Sequence, residues 1–271
     1  MYAVRPKKLE LSFLKKTLLT LGTAVALYSQ LACSPAQGKN ASTTLILGTS
    51  ADYPPFEFFK QGKIVGMDID LAQTLAQELG AQLIVKEMDF SALIPALQTG
   101  QVDFIMAGLT ITPERKKNVE FSDVYYMNEL ALVSTAQKQF RSLKDLADQK
   151  IGVQLGSVME KFAQQQAQII PGLQVVSRGK TPLLIEELKT RRIDGILVEK
   201  VQAITLAQAN SALKPFFLPE LENNKNEGYA IAFSQRSPRG KELRDQFNLI
   251  LKRLQTQGTL QSLKQKWIEG N

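Results

Sequence analysis

The chain alternates short apolar runs with stretches of helical spacing, and it does so twice. In the first set, Leu45–Leu47, Leu83–Val85 and Val102–Ala107 read as strands. Between them, Ile69, Ala72, Leu75, Ala76 and Leu79 recur at helical spacing and stop at Gly80. Leu93, Ile94 and Leu97 mark a shorter helix that stops at Gly100. Strands this short and apolar, alternating with helices, build parallel sheets covered on both faces. The pattern restarts after about residue 140, with strands Ile151–Val153, Leu173–Val176 and Ile193–Val198. Helices open at Ser157 and at Thr181-Pro182, and a third runs from about Val201 to Ala209. Ser157 and Glu160 have the spacing of a capping box. A weak repeat links the two sets: Leu97-Gln98-Thr99-Gly100-Gln101-Val102-Asp103-Phe104-Ile105 aligns with Leu188-Lys189-Thr190-Arg191-Arg192-Ile193-Asp194-Gly195-Ile196. The expectation is an α/β protein of two lobes, 44–131 with 230–271 and then 132–229. Leu130–Val133 and Tyr229–Phe233 would be the two crossing strands. Helical spacing from Leu243 to Leu254 and on to Trp267 would complete the first lobe.

The N-terminus reads differently. Lys15-Lys16 precedes the apolar run Thr17–Tyr28, which is short for a bilayer span and has the layout of an export signal over 1–32. Gln30-Leu31-Ala32-Cys33 resembles a bacterial lipobox with its Leu one place late, so Cys33 is a candidate for lipidation. Cleavage after Ala36 is the alternative. Residues 33–43 would then be a polar tether. The chain carries a net charge of +7, of which Arg5, Lys7, Lys8, Lys15 and Lys16 against Glu10 supply +4. The body is therefore only mildly basic, and a nucleic-acid partner loses most of its support.

Composition also excludes chemistry. With no histidine among 271 residues, a Ser-His-Asp triad, a Cys-His dyad and a His-ligated metal are ruled out. With a single cysteine there is no internal disulfide. In open α/β sheets ligands bind at the carboxyl ends of the strands. Those ends here hold Ser50 and Tyr53, Ala107, Gly108 and Thr110, Gln154 and Ser157, and Glu199, with Phe90 in the loop after the second strand. The set suits a small zwitterion better than a reaction, and no metal or cofactor is expected. Arg115, five residues after Thr110, presents a planar fork that matches a carboxylate; alternatively it is a surface residue beside Lys116 and Lys117. Glu199 would hold an ammonium or cap the helix that follows it. Tyr53 and Phe90 would wall a side chain or pack ordinarily. Ser157 opens a helix whose N-terminus suits an anion.

Five blocks, in order, carry a resemblance. They are Tyr53-Pro54-Pro55-Phe56-Glu57-Phe58, Gly66-Met67-Asp68-Ile69-Asp70-Leu71-Ala72, Asp89-Phe90-Ser91-Ala92-Leu93-Ile94-Pro95-Ala96-Leu97, Ala107-Gly108-Leu109-Thr110-Ile111-Thr112-Pro113-Glu114-Arg115 and Phe121-Ser122-Asp123-Val124-Tyr125-Tyr126. Together they resemble the polar amino-acid solute-binding proteins of ABC importers, from about Leu45 to Trp267. The resemblance implies two Rossmann-like lobes joined by two crossing strands, the type II periplasmic-binding-protein fold, closing on an amino acid. It implies that Arg115 takes the ligand carboxylate with help from Ser157. Gly108 and Thr110 would contact the α-groups, Glu199 the α-ammonium, and Tyr53 and Phe90 would be the walls. It further implies export, a membrane permease as partner and a monomeric chain anchored through Cys33. Arginine is the favoured ligand, with Glu57 expected to meet its distal cation unless it is a rim carboxylate. Gln154 stands where some glutamine binders have Lys, and Ser50 where some Lys/Arg/ornithine binders have Asp. Glutamine binding and a cyclohexadienyl-dehydratase-like enzyme are the alternatives.

Overall fold

A computed structural model describes Tyr2, residues 43–222 and residues 228–270. The expected export signal apart from Tyr2, Cys33 and all but the last residue of the tether lie outside the described residues. The chain divides into two units, Met1–Ser42 and Thr43–Asn271, and everything below concerns the second.

Its strands, in chain order, are β1 (Thr44–Thr49), β2 (Asp52–Tyr53), β3 (Glu57–Lys60), β4 (Lys63–Val65), β5 (Gln82–Glu87), β6 (Phe104–Ile105), β7 (Val119–Phe121), β8 (Leu130–Thr135), β9 (Lys150–Gln154), β10 (Gln174–Arg178), β11 (Gly195–Glu199), β12 (Leu213–Phe216) and β13 (Ala232–Ser234). They form two five-stranded sheets, β5-β1-β6-β13-β7 and β10-β9-β11-β8-β12, and a small antiparallel sheet β2-β3-β4. Each large sheet is parallel through its first three strands and antiparallel beyond. Both faces of each are buried. In the first sheet, helices Met67–Glu78 and Pro238–Thr256 pack Leu71, Leu75, Phe247 and Leu251 on one side, and Leu93 and Leu97 cover the other.

The repeat seen in the sequence has a structural basis. Asp103 Oδ2 accepts the Ile46 N–H at 2.8 Å while the Asp103 N–H donates to Ile46 O. Asp194 does the same with Lys150 in the second sheet, at 2.8 Å. Each Asp thus joins its strand to the neighbour at the entrance to the ladder, which shortens the regular pairing. The strand expected over Val102–Ala107 reduces to the two residues of β6.

Two expectations change. Leu130–Val133 does not bridge the lobes alone: β8 is an interior antiparallel strand of the second sheet. The crossing lies just before it, where the Tyr229 N–H donates to Tyr126 O at 2.7 Å and the Tyr125 N–H to Tyr229 O at 3.0 Å. The outgoing and returning segments are therefore hydrogen-bonded to each other. The stretch around Pro54 and Pro55, expected as loop, carries the small sheet. Gly66 ends that sheet at φ 138°, where an added Cβ would sit 2.1 Å from Phe56 O, so no side chain fits. Among the described residues no helix is long and apolar enough to cross a membrane.

Candidate functional site

The strand ends of the two large sheets face each other across a narrow cleft that encloses a small cavity. Tyr53, Phe90, Ala107, Gly108, Thr110 and Arg115 line it from one side, and Gln154, Ser157, Val158, Met159 and Glu199 from the other. Nine of the expected site residues are therefore brought together; Ser50 and Glu57 are not among the walls.

Arg115 is held by its own short helix, Pro113–Lys116, which begins at Thr112: the Arg115 N–H donates to Thr112 Oγ1 at 3.1 Å. The side chain turns back to the cleft. Nη1 donates to Thr110 O at 2.7 Å and Nη2 crosses the cleft to Gly156 O at 3.1 Å. The guanidinium carbon stands 5.4 Å from the centre of the Phe90 ring. Burial lowers its pKa to about 10, with Glu114 opposing, so the cation persists at neutral pH. Two of its five N–H groups are used by these carbonyls, which leaves donors for a ligand carboxylate. This position rules out the solvated-surface alternative.

Glu199 closes β11 and directly precedes the helix Lys200–Ala209, yet its side chain makes no cap bond there. It is 3% exposed. Burial raises its pKa to about 8, with the nearby Tyr229 hydroxyl opposing. Oε1 meets Asn128 Nδ2 at 3.5 Å, and Oε2 has no hydrogen bond among the described residues. An α-ammonium would both supply the missing donor and favour the carboxylate. The Glu199 N–H donates to Tyr53 Oη at 3.3 Å, so the aromatic wall and the acid are tied across the cleft.

Ser157 caps the helix Val158–Ala167 by accepting the Glu160 N–H at 3.1 Å. The reciprocal half of the expected box is displaced: Glu160 Oε2 takes the Gly156 N–H at 2.7 Å instead.

Glu57 corrects an expectation. It lies on β3 at 1% exposure, facing Asp68 and outside the cavity. Burial first, and the adjacent Asp68 carboxylate next, push its pKa well above the ordinary carboxyl value, which favours the protonated form. Asp68, at the start of helix Met67–Glu78, also accepts the Gly108 N–H at 3.0 Å and the Tyr125 O–H at 2.8 Å, with its pKa raised by burial to about 6. The pair supports the cavity floor at Gly108 rather than reading a ligand charge. Ser50 is likewise one layer back, donating to Asp52 Oδ1 at 3.3 Å.

Sequence reasoning missed Val158 and Met159, which were legible as the first turn of a helix pointing at the cleft. It also missed Asn128, whose Nδ2 lies 3.3 Å from Thr110 Oγ1. Asn128 sits in an irregular crossing segment with no periodicity to mark it.

A cation and an acid facing each other in a cleft between two hinged α/β lobes, with aromatic walls, define a solute-binding protein that closes on a small zwitterion. Residues 45–270 match the Bacterial extracellular solute-binding proteins, family 3, and the chain belongs to that family. The arginine-binding extracellular protein ArtP of Bacillus subtilis (strain 168) is 39% identical over 259 residues, 95% of this chain and 99% of that one. A solved ancestral arginine-binding protein bound to arginine superposes with a TM-score of 0.76 at 37% identity, over 83% of this chain and 97% of that one. An ancestral arginine-binding protein bound to glutamine matches with a TM-score of 0.76 at 36% identity, over 84% and 99%.

Proposed function

We propose that this protein captures L-arginine in the cleft and delivers it to the membrane permease of an ABC importer. The observation that carries this reading is the balance of charge around the cavity. Among its walls Arg115 is the one basic side chain and Glu199 the one acidic side chain, which match the carboxylate and the ammonium of any amino acid. At the end beyond Gln154, three carboxylates, Asp52, Glu87 and Asp89, gather around Lys180. That excess of acid favours a side chain ending in a cation. Tyr53 and Phe90 offer ring faces suited to a guanidinium. The relatives that bind arginine support the choice. The ancestral protein bound to glutamine makes glutamine the second reading. Arg115, Glu199, Gly108, Thr110 and Ser157 hold the α-groups in either case.

The test is calorimetric titration of refolded, ligand-stripped protein. Arginine is expected to bind at least tenfold more tightly than glutamine. Tight glutamine binding with no arginine binding overturns the specificity and leaves the family standing.

We also propose that the exported chain works as a monomer anchored through lipid on Cys33. Expressed in bacteria, Cys33→Ser is expected to move the protein from the membrane fraction to the soluble one. A wild-type protein that is already soluble and begins at Gln37 overturns the anchor.

A further inference from the structure

Asp52 lies on β2, between the displaced Ser50 and the wall residue Tyr53, and its carboxylate reaches across the cleft. Oδ2 accepts the Thr181 N–H at 2.9 Å, at the first residue of helix Thr181–Lys189. Gln154 Nε2 approaches Oδ1 at 3.3 Å and Oδ2 at 3.4 Å. Ser50 Oγ adds a donor to Oδ1 at 3.3 Å. Every one of these partners donates a hydrogen bond to Asp52. Burial raises the Asp52 pKa above the ordinary carboxylate value, and the Thr181 N–H and the Lys180 ammonium oppose that rise.

An ionised carboxylate accepts only. The amide of Gln154 can therefore meet Asp52 through nitrogen alone, and its carbonyl oxygen is left to face the other way. Gln154 is 5% exposed and forms part of the cavity wall. Its Oε1 makes no hydrogen bond among the described residues. The wall at this point is thus an acceptor, although a glutamine by itself would present either group.

We propose that Asp52 is a specificity-determining positioning residue: it fixes the Gln154 amide so that the distal end of the cavity offers a hydrogen-bond acceptor, selecting ligand side chains that end in N–H donors. The inference rests on the arginine reading above, because it requires the ligand side chain to extend toward Gln154. Arginine, whose guanidinium only donates, satisfies such a wall fully. Citrulline has the same shape, but its ureido group carries an oxygen in place of one nitrogen. That oxygen has nothing to accept from on this wall.

The decisive variant is Asp52→Asn. The Thr181 N–H still demands an acceptor, so the oxygen of the new amide turns to it and the nitrogen turns to Gln154. The Gln154 amide then flips and presents N–H to the cavity. Arginine affinity is expected to fall at least tenfold and citrulline affinity less than threefold, so the preference between them shrinks. Loss of the Asp52 charge alone would shrink the same ratio, and a second variant separates the two causes. Gln154→Leu removes the amide and leaves the Asp52–Thr181 bond. In that background Asp52→Asn is expected to change the arginine-to-citrulline ratio less than twofold, since nothing remains to be turned. A full-sized change in the Gln154→Leu background would assign the effect to charge and overturn the inference. Equal losses for both ligands on Asp52→Asn would overturn it as well, making Asp52 a clasp between the lobes. In both cases wild type still binds arginine and the functional reading survives. Wild type that takes glutamine and refuses arginine would fail that reading, and this inference with it.

Discussion

Arg115→Ala is expected to weaken binding of every amino acid by about a hundredfold or more, with the ligand-free fold intact. The enclosed cavity has no second cation among its walls, so a bound carboxylate would be left desolvated and unpaired. Breaking a buried charge pair costs about 3–5 kcal/mol, and each 1.4 kcal/mol is about tenfold in affinity. The fold tolerates the loss because Arg115 gives its protons to two backbone carbonyls at the cleft, Thr110 O and Gly156 O, and lies outside the four apolar cores. Arg115→Lys is expected to recover little, since a single ammonium cannot serve Thr110 O, the Phe90 face and a carboxylate as a planar fork does. Titration with arginine and with glutamine, alongside thermal melts, checks this. Binding within threefold of wild type would show that the carboxylate sits elsewhere.

Asp68→Ala and Glu57→Gln are expected to part company, although the two carboxyls touch. Removing the Asp68 carboxylate strands the Gly108 N–H and the Tyr125 O–H in the core. Each buried unpaired group costs about 1–3 kcal/mol, so denaturant unfolding at neutral pH should show a loss of about 2–6 kcal/mol. Ligand affinity should fall too, because Gly108 belongs to the cavity floor. Glu57→Gln keeps shape and donor, replacing a neutral carboxyl by a neutral amide, so arginine affinity should stay within threefold of wild type. A tenfold loss confined to arginine would restore Glu57 as the reader of the distal charge. The two variants also differ with pH. Glu57, Asp68 and Glu199 all have pKa values raised by burial, the last two to about 6 and about 8. Between their unfolded pKa values, near 4, and those raised values, the folded state holds protons that the unfolded state has released. Stability therefore falls as pH rises through that window. Melting of the ligand-free protein is expected to drop from pH 5 to pH 8, and to drop less in Glu57→Gln. Identical slopes would mean that Glu57 ionises freely in the folded state.

The β-α alternation, the repeat containing Asp103 and Asp194, and the cleft-facing strand ends were all legible in the sequence. They are local facts, set by apolar spacing, by capping residues and by which end of a parallel strand its loop follows. The same locality explains why Ser157 and Glu199 could be placed at the cleft: Glu199 ends a strand and Ser157 opens the helix after one, and the pattern settles the direction of both strands. Local spacing does not say which side of a loop turns to the cleft. The family resemblance pointed to Glu57 as the acid for a ligand cation, and Asp52, the other acid beside the same aromatic wall, carried no expectation. The tertiary structure decided otherwise. The antiparallel pairing of β2 with β3 sets Asp52 across from Thr181 and Gln154 while turning Glu57 inward onto Asp68. Strand order was likewise beyond the local pattern, since β13 enters the first sheet more than a hundred residues after its neighbour β6. Burial is a property of what packs around a group, so the pKa shifts of Glu57, Asp68 and Glu199 exist only once the chain has folded around them.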